Sequence, residues 1–237
     1  MILVKDVYRA INDRSPFSAA QSWDNVGLLV GDEDWEVRRI YMALDATDEV
    51  VEKATSWGAD LLVTHHPMVF SPMKRIVAGD FIGRRVISLI EHRIAYIAMH
   101  TNYDTFGMAD LAADRLGLVD TLPLEPVEAP EYPRVWFGVQ KGLDEGNPPV
   151  GIGKTGMLPK RTTLQAFAEM VKNTFGLSHV RFFGREDAPV ERVAICPGSG
   201  KSVISLAQEA RADVLVTGDI DHHSGIDAVA NGLSIID

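Results

Sequence analysis

The sequence has a single cysteine, Cys196, among 237 residues. One cysteine excludes a framework of internal disulfide bonds, and we expect a small buried side chain in a reducing compartment. Basic residues are also few, since 23 lysines and arginines stand against 33 aspartates and glutamates and the formal net charge is −10. A chain this acidic offers no basic stripe to a phosphate backbone, so nucleic acid is not expected as a partner.

The sequence also lacks an apolar run of about 20 residues, the length that crosses a membrane as a helix. Near the N-terminus, Lys5 and Asp6 interrupt the apolar stretch that a secretory signal would need. We therefore expect a cytoplasmic protein with no membrane partner. The 46% hydrophobic content and the mean hydropathy of +0.01 indicate a globular chain with one large or two modest domains.

An internal repeat organises the chain. The stretch "ADLLVT" at 59–64 recurs as "ADVLVT" at 212–217, an offset of 153 residues that extends backwards without a gap. Each copy predicts a strand, a helix and a second strand that ends at Thr64 or Thr217. Such units place helices on the faces of parallel or mixed sheets, so the predicted fold class is α/β with two similar βαβ-containing halves.

We place the boundary of the first α/β half at residues 1–125. Residues 126–237 then form a connecting segment and the second half. The connection begins in the proline-rich and acidic stretch "PLEPVEAPEYPRVW", and an amphipathic helix follows, with Thr162 or Thr163 as its N-cap and Gly176 as its stop.

Histidines and acids gather where the predicted strands end. His65 and His66 follow one strand, His100 and Asp104 follow another, and Asp219, Asp221, His222 and His223 follow a third. Ligands of open parallel sheets bind outside the carboxyl ends of the strands. Imidazole and carboxylate without thiolate favour a site for zinc, manganese or iron over a structural zinc finger. His222 and His223 fit the first turn of a helix better than they fit metal ligation.

The adjacent histidines of "LLVTHHPMVF" have two interpretations. As polar loop residues they would cap the following segment. As ligands they would point to opposite sides of an extended backbone, which Pro67 favours at His66, so each would serve a different ion and Asp104 would bridge the two.

Two glycine-rich stretches resemble phosphate-binding loops only in part. "GIGKT" at 151–155 and "PGSGKS" at 197–202 both lack the first glycine of the P-loop pattern. That glycine should stand five residues before the glycine of "GK", where this sequence has Pro148 and Ile195. A tight strand-to-helix turn is the favoured interpretation of "PGSGKS", and an anion site at the helix N-terminus is the alternative.

Several separated motifs together resemble the dinuclear metal-centre family known as GTP cyclohydrolase 1 type 2 homologues, in its short form without the inserted domain. These motifs are "SWDNVGLLVGD", "ALDAT", "LLVTHHPMVF", "HTNYD" and "VTGDIDHH" with "NGLSIID". The resemblance implies a toroidal homohexamer with two divalent metal ions per subunit. It assigns His65, His66 and Asp104 as metal ligands. In a hydrolase with this site, His100 is a candidate proton shuttle.

The resemblance also implies a further histidine and glutamate ligand after the strand that matches "LSIID". The second repeat copy stops at Asp237, where the first copy continues to His100 and Asp104. Either a C-terminal piece with these ligands follows this sequence, or the protein lacks them, and in both cases we expect partial or absent metal binding by residues 1–237 alone.

Two functions fit these motifs. The first is a metal-dependent hydrolase resembling GTP cyclohydrolase 1 type 2, in which metal-bound water attacks a nucleotide such as GTP. The alternative is a non-enzymatic metal-binding protein whose ring acts as a scaffold or a regulator, because ligand residues alone do not reveal turnover.

Overall fold

The computed structural model describes residues 1–127 and 150–237. These residues form two compact units, Met1–Tyr103 and Asp104–Asp237. The boundary predicted at residue 125 falls within strand β5 of the second unit. Of the proline-rich stretch, residues 123–127 belong to β5, and the remainder lies outside the described residues.

The first unit contains a four-stranded mixed sheet. Its strands are β1 (Gly27–Val30), β2 (Ile40–Ala43), β3 (Leu61–Thr64) and β4 (Ala95–Ala98). The spatial order is β1-β4-β3-β2, with β2, β3 and β4 parallel and β1 antiparallel to β4. Both central strands are buried along their whole length, as expected for strands covered on two faces.

The helices of the first unit are α1 (Val4–Asn12), α2 (Asp48–Trp57), α3 (Phe81–Glu91) and the short α4 (Thr101–Tyr103). Thr47 caps α2 by accepting a hydrogen bond from the backbone of Val50. Gly58 ends this helix in the left-handed region at φ 71°, where a side chain would be strained. The predicted strand–helix–strand order of the first copy is therefore confirmed.

The second unit contains a six-stranded mixed sheet. Its strands are β5 (Val119–Val127), β6 (Val150–Thr163), β7 (Phe182–Phe183), β8 (Pro189–Ser199), β9 (Val214–Asp219) and β10 (Ser234–Ile236). The order is β5-β6-β8-β9-β10-β7, in which β8, β9 and β10 are parallel and the other pairings are antiparallel. The α/β fold class with mixed sheets and flanking helices is thus as the sequence predicts.

The second unit begins with a kinked turn at Asp104–Met108, in which Phe106 and Gly107 depart from helical dihedral angles. Its helices are α5 (Ala109–Arg115), α6 (Leu164–Thr174), α7 (Ile204–Glu209) and α8 (His222–Ala230). Thr163 caps α6 by accepting from Ala166, one of the two residues predicted for this role. Gly176 follows the helix at φ 66°. In the part of the chain that the structure describes, no helix is both long and apolar enough to span a membrane.

The internal repeat is visible in the hydrogen bonds. The Oδ2 atom of Asp60 accepts from the backbone N–H groups of Arg38 and Arg39 at 2.9 and 2.8 Å. At the same offset of 153 residues, Asp213 Oδ2 accepts from Glu191 and Arg192 at 2.9 and 2.8 Å. Each aspartate directly precedes its own strand, β3 or β9. Its side chain bonds to the backbone at or just before the beginning of the neighbouring strand, β2 or β8.

The glycine-rich stretches are structural. "GIGKT" is part of strand β6, and the buried Lys154 in it pairs with Asp110 at 2.8 Å. "PGSGKS" contains the end of β8 and leads through a 3₁₀ turn into α7, as the strand-to-helix interpretation predicts.

Candidate metal centre

Three histidines meet at one edge of the four-stranded sheet. His65 and His66 directly follow β3, and His100 lies two residues beyond β4. Because β3 and β4 are parallel neighbours, with Thr64 opposite Ala98, their carboxyl ends lie side by side. Parallel strands collect their following side chains at such an edge, and this topology brings together histidines that are 35 residues apart in the sequence.

The ligand nitrogens of His65, His66 and His100 all lie within 4.8 Å of one another. The rings of His65 and His66 have centroids 4.8 Å apart, and those of His65 and His100 are 5.2 Å apart. The expectation that the adjacent histidines point to opposite sides is therefore wrong. The backbone bends at both residues after β3 ends, so the alternation of an extended strand no longer applies.

Tyr96 fixes the bend that carries the histidines. This buried β4 residue lies opposite Leu62 in the sheet, and its hydroxyl donates to the carbonyl oxygen of His66 at 3.1 Å. The same hydroxyl accepts from the backbone N–H of Met68 at 2.8 Å. Thr64 Oγ1 also donates to the His66 carbonyl, at 2.8 Å. The loop is therefore held from inside the sheet on both sides of Pro67.

Two carboxylates orient two of the imidazoles. Asp45 Oδ1 lies 2.8 Å from Nδ1 of His66, and Asp24 Oδ1 lies 2.9 Å from Nδ1 of His100. Contact at Nδ1 leaves Nε2 as the ligand atom of each ring. Carboxylates commonly hold metal-ligating histidines in this way, because they fix the ring and increase its basicity.

Asp24 is the more deeply placed of these carboxylates, with a side chain that is 0% exposed. Its Oδ2 accepts from the backbone N–H of Thr101 at 3.0 Å and from the Thr101 hydroxyl at 2.6 Å. Burial alone would raise the pKa of Asp24, but the hydrogen bonds from Thr101 and His100 lower it below its usual value. Asp24 is therefore an ionised partner for His100.

His65 lies deeper than His66. Burial, followed by the neighbouring rings of His66 and His100, lowers the pKa of His65 to about 4. The imidazole is neutral at pH 7, which is the form that binds a metal ion.

The donor set fits a divalent transition metal. Nitrogens bound to one zinc ion lie at most about 4.2 Å apart, twice the usual zinc–nitrogen distance. The 4.8 Å spread of His65, His66 and His100 is wider than this value, so the three side chains would have to move closer together to bind one ion. Within residues 1–127 and 150–237, this is the one group of at least three His, Cys, Asp or Glu residues whose ligand atoms come close enough to be candidates for a metal site.

Comparison with known proteins identifies the family. Residues 2–237 match the family described as Duf34/NIF3 (NGG1p interacting factor 3). The chain belongs to this family. A GTP cyclohydrolase 1 type 2 homolog of Clostridium perfringens (strain 13 / Type A) is 33% identical to this NIF3-family chain over 238 residues, covering 99% of the chain and 84% of the relative.

Solved structures with the same fold are found in two other bacteria. A Bacillus cereus protein related to NIF3 matches with a TM-score of 0.88 and 26% identity, covering 100% of this chain and 88% of that one. The Staphylococcus aureus protein SA1388 matches with a TM-score of 0.84 and 32% identity, covering 100% and 85%.

The other residues singled out in the sequence lie in the second unit. Asp104, predicted as a ligand, begins the kinked turn at Asp104–Met108 there. Asp221 caps α8 by accepting from Ser224, and His222 and His223 occupy its first turn, as the helix-start interpretation predicts. Asp221 also pairs with Lys201 at 3.1 Å.

Reasoning from the sequence missed Asp24 and Asp45 as supports of the site. Asp45 had a usable signal, since it follows β2 at the same edge as His65 and His66. Asp24 precedes its strand. It reaches the edge only because β1 runs antiparallel to β4, with Gly27 opposite Ala98, and that pairing cannot be read from a single sequence.

Proposed function

We propose that this NIF3-family chain is a metal-dependent hydrolase that acts at the site of His65, His66 and His100. The observation that carries the proposal is the convergence of these three imidazoles, two of which are oriented by Asp24 and Asp45. Zinc, manganese and iron all suit such ligands. A second ion per subunit, with Asp104 among its ligands, belongs to the same proposal.

The residues around the imidazoles have distinct tasks in this proposal. A divalent ion, when bound, would lower the pKa of a water molecule, and its positive charge would attract an anionic substrate. Asp24 holds His100 with Nε2 directed away from the carboxylate, which suits this histidine to ligate or to relay a proton. Tyr96 and Thr64 keep the His66 backbone fixed, so that the imidazoles need little rearrangement on binding.

A nucleotide such as GTP is the proposed substrate. The name of the Clostridium perfringens relative, GTP cyclohydrolase 1 type 2 homolog, supports this choice. The formal charge of −10 makes the chain as a whole repel a triphosphate, so a local positive charge at the histidines is needed to hold one.

A homohexamer is proposed as the assembly. An exposed sheet edge supports association with further copies. Strand β2 is the edge strand of its sheet, and Ile40, Met42 and Leu44 are 40%, 74% and 59% exposed. Multi-angle light scattering tests this assembly, and a stable monomer would contradict it.

The test of the hydrolase combines metal content with turnover. The protein is stripped with a chelator, reloaded with zinc, manganese or iron(II), and incubated with GTP while products are separated by chromatography. We expect turnover that requires metal and is lost, together with the metal, in the double variant His65→Ala and His66→Ala. His92→Ala is the matched control, because His92 is an exposed histidine at the end of α3 that bonds to Ser88 of the same helix.

Two results would contradict the proposal. Turnover that survives in the double variant would place the chemistry elsewhere. Stoichiometric metal in the unchanged protein without turnover of GTP or other nucleotides would favour the metal-binding scaffold.

A further inference from the structure

Two large aromatic side chains stand in solvent beside the histidine cluster. Trp23 is 59% exposed and Phe70 is 48% exposed, and their ring centroids lie 6.0 Å apart. Both rings also approach His100, with centroid distances of 6.1 Å for Trp23 and 6.4 Å for Phe70. The apolar faces that these rings leave open therefore border the candidate metal centre.

Hydrogen bonds in and beside the centre hold the backbone next to the two rings. Trp23 directly precedes Asp24, whose carboxylate is held by His100 and Thr101. Asn25 Nδ2 donates to the carbonyl oxygen of Val69, the residue before Phe70, at 2.5 Å. The backbone on both sides of the aromatic pair is thus tied to the centre, so the two rings keep their distance from His100.

The arrangement of the two rings suits a planar ligand. Trp23 and Phe70 are tilted by 52° and do not stack on each other, so neither ring covers the face of the other. A planar ring can stack on one of them and meet the second at its edge, both of which are favourable aromatic geometries. Base stacking on exposed aromatic side chains is a general means of holding nucleotides.

We propose that Trp23 and Phe70 bind the planar heteroaromatic ring of a ligand, such as the base of a nucleotide, while its anionic part faces the histidine cluster. The inference deepens the proposed function by naming the part of the chain that holds the ring. It rests on that function only for the metal that would hold the anionic part. Stacking tolerates every base, so purine and pyrimidine nucleotides are both expected to bind.

The test separates contact with the ring from contact with the phosphates. Isothermal titration calorimetry on the metal-loaded protein measures Kd for GTP, for CTP and for inorganic tripolyphosphate, which has no ring. We expect Trp23→Leu and Phe70→Leu each to raise the Kd for GTP and CTP by at least about fivefold. The Kd for tripolyphosphate should stay unchanged, and so should the metal content.

Two further variants sharpen the comparison. Trp23→Phe keeps an aromatic face and is expected to recover most of the affinity for GTP. Trp57→Leu is the matched control, because Trp57 is 51% exposed in the same unit but lies at the end of α2, before β3 begins. It should leave the Kd of all three probes as it was.

Several outcomes would overturn the inference. These are no binding of either nucleotide by the unchanged protein, an unchanged Kd for GTP in Trp23→Leu, or an equal loss for tripolyphosphate. A lower assembly mass of Trp23→Leu in light scattering would show that a second copy covers the ring.

The two proposals fail in distinguishable ways. Suppose that Trp23→Leu weakens the binding of GTP but not of tripolyphosphate, and that the unchanged protein forms no product. The ring-binding role of Trp23 and Phe70 is then supported, and the hydrolase function is contradicted. If the unchanged protein turns over GTP and Trp23→Leu binds GTP equally well, the hydrolase function is supported and the ring-binding role is contradicted.

Discussion

Asp24 holds His100 at the ring nitrogen Nδ1. The Oδ1 atom of Asp24 lies 2.9 Å from Nδ1 of His100, and its Oδ2 is engaged twice by Thr101, the next residue in the chain. One buried carboxylate thus fixes both the ring and the backbone that carries it. In this arrangement the acid sets the ligand geometry although it is not itself a ligand of the cluster.

Replacing Asp24 by asparagine should weaken metal binding. An amide keeps the shape but loses the charge that supports His100, and the loss of such a partner typically costs about 10- to 100-fold in metal affinity. Competition with a chromogenic zinc chelator measures the change. Glu49→Gln is the control, since Glu49 pairs with Lys53 on the surface of α2. Equal zinc affinity in Asp24→Asn and the unchanged protein would contradict a supporting role.

Replacing Tyr96 by phenylalanine should destabilise the first unit. The hydroxyl accepts from the backbone N–H of buried Met68, so its removal leaves that N–H without this partner. It also takes away one of the two donors to the His66 carbonyl, which keeps its hydrogen bond from Thr64. We expect a loss of about 1–3 kcal/mol in the free energy of unfolding, measured by denaturant titration. In the described part of the chain Tyr41 makes no hydroxyl hydrogen bond, so Tyr41→Phe should change stability little. Equal effects of both variants would refute this reasoning.

The aspartates of the repeat should contribute alike in the two units. Asp60→Ala and Asp213→Ala each remove an oxygen that accepts two backbone N–H groups, as a helix cap does. We expect each to lower the free energy of unfolding by about 1–2 kcal/mol. Asp60→Asn and Asp213→Asn keep an acceptor oxygen and should lose less. A clear loss in one unit and none in the other would show that the contacts are not equivalent.

The thiol of Cys196 should resist alkylation in the folded protein. The side chain is 4% exposed, and burial, with smaller effects from Asp104 and Glu125, raises its pKa to about 12. The reactive thiolate is then roughly one part in ten thousand at pH 8, and this fraction rises with pH. Intact mass after iodoacetamide treatment should show no adduct at pH 8 and one adduct in guanidinium chloride. Rapid modification of the folded protein would contradict the burial.

The sequence predicts the parts of the site that depend on strand ends. His65, His66 and His100 follow apolar strands, and the βαβ repeat makes those strands parallel, so their meeting at one edge follows from topology. The direction of each ring does not, because it depends on the bend at His65 and on the hydroxyl of Tyr96 in the neighbouring strand β4. Asp24 lies beyond prediction for a similar reason, since only the antiparallel pairing of β1 brings it to the edge.

At the repeat offset of 153 residues, His65 and His66 correspond to Gly218 and Asp219, and Asp45 corresponds to Gly198. A Cβ atom placed on Gly218 would lie 3.2 Å from the backbone nitrogen of Gly198, so the end of β8 crowds the place that an imidazole would need. The second repeat copy therefore has strands equivalent to those that carry the histidines, but it has little space for a side chain at position 218. A histidine at position 218 would require the backbone at Gly198, near the end of β8, to move by a few tenths of an ångström.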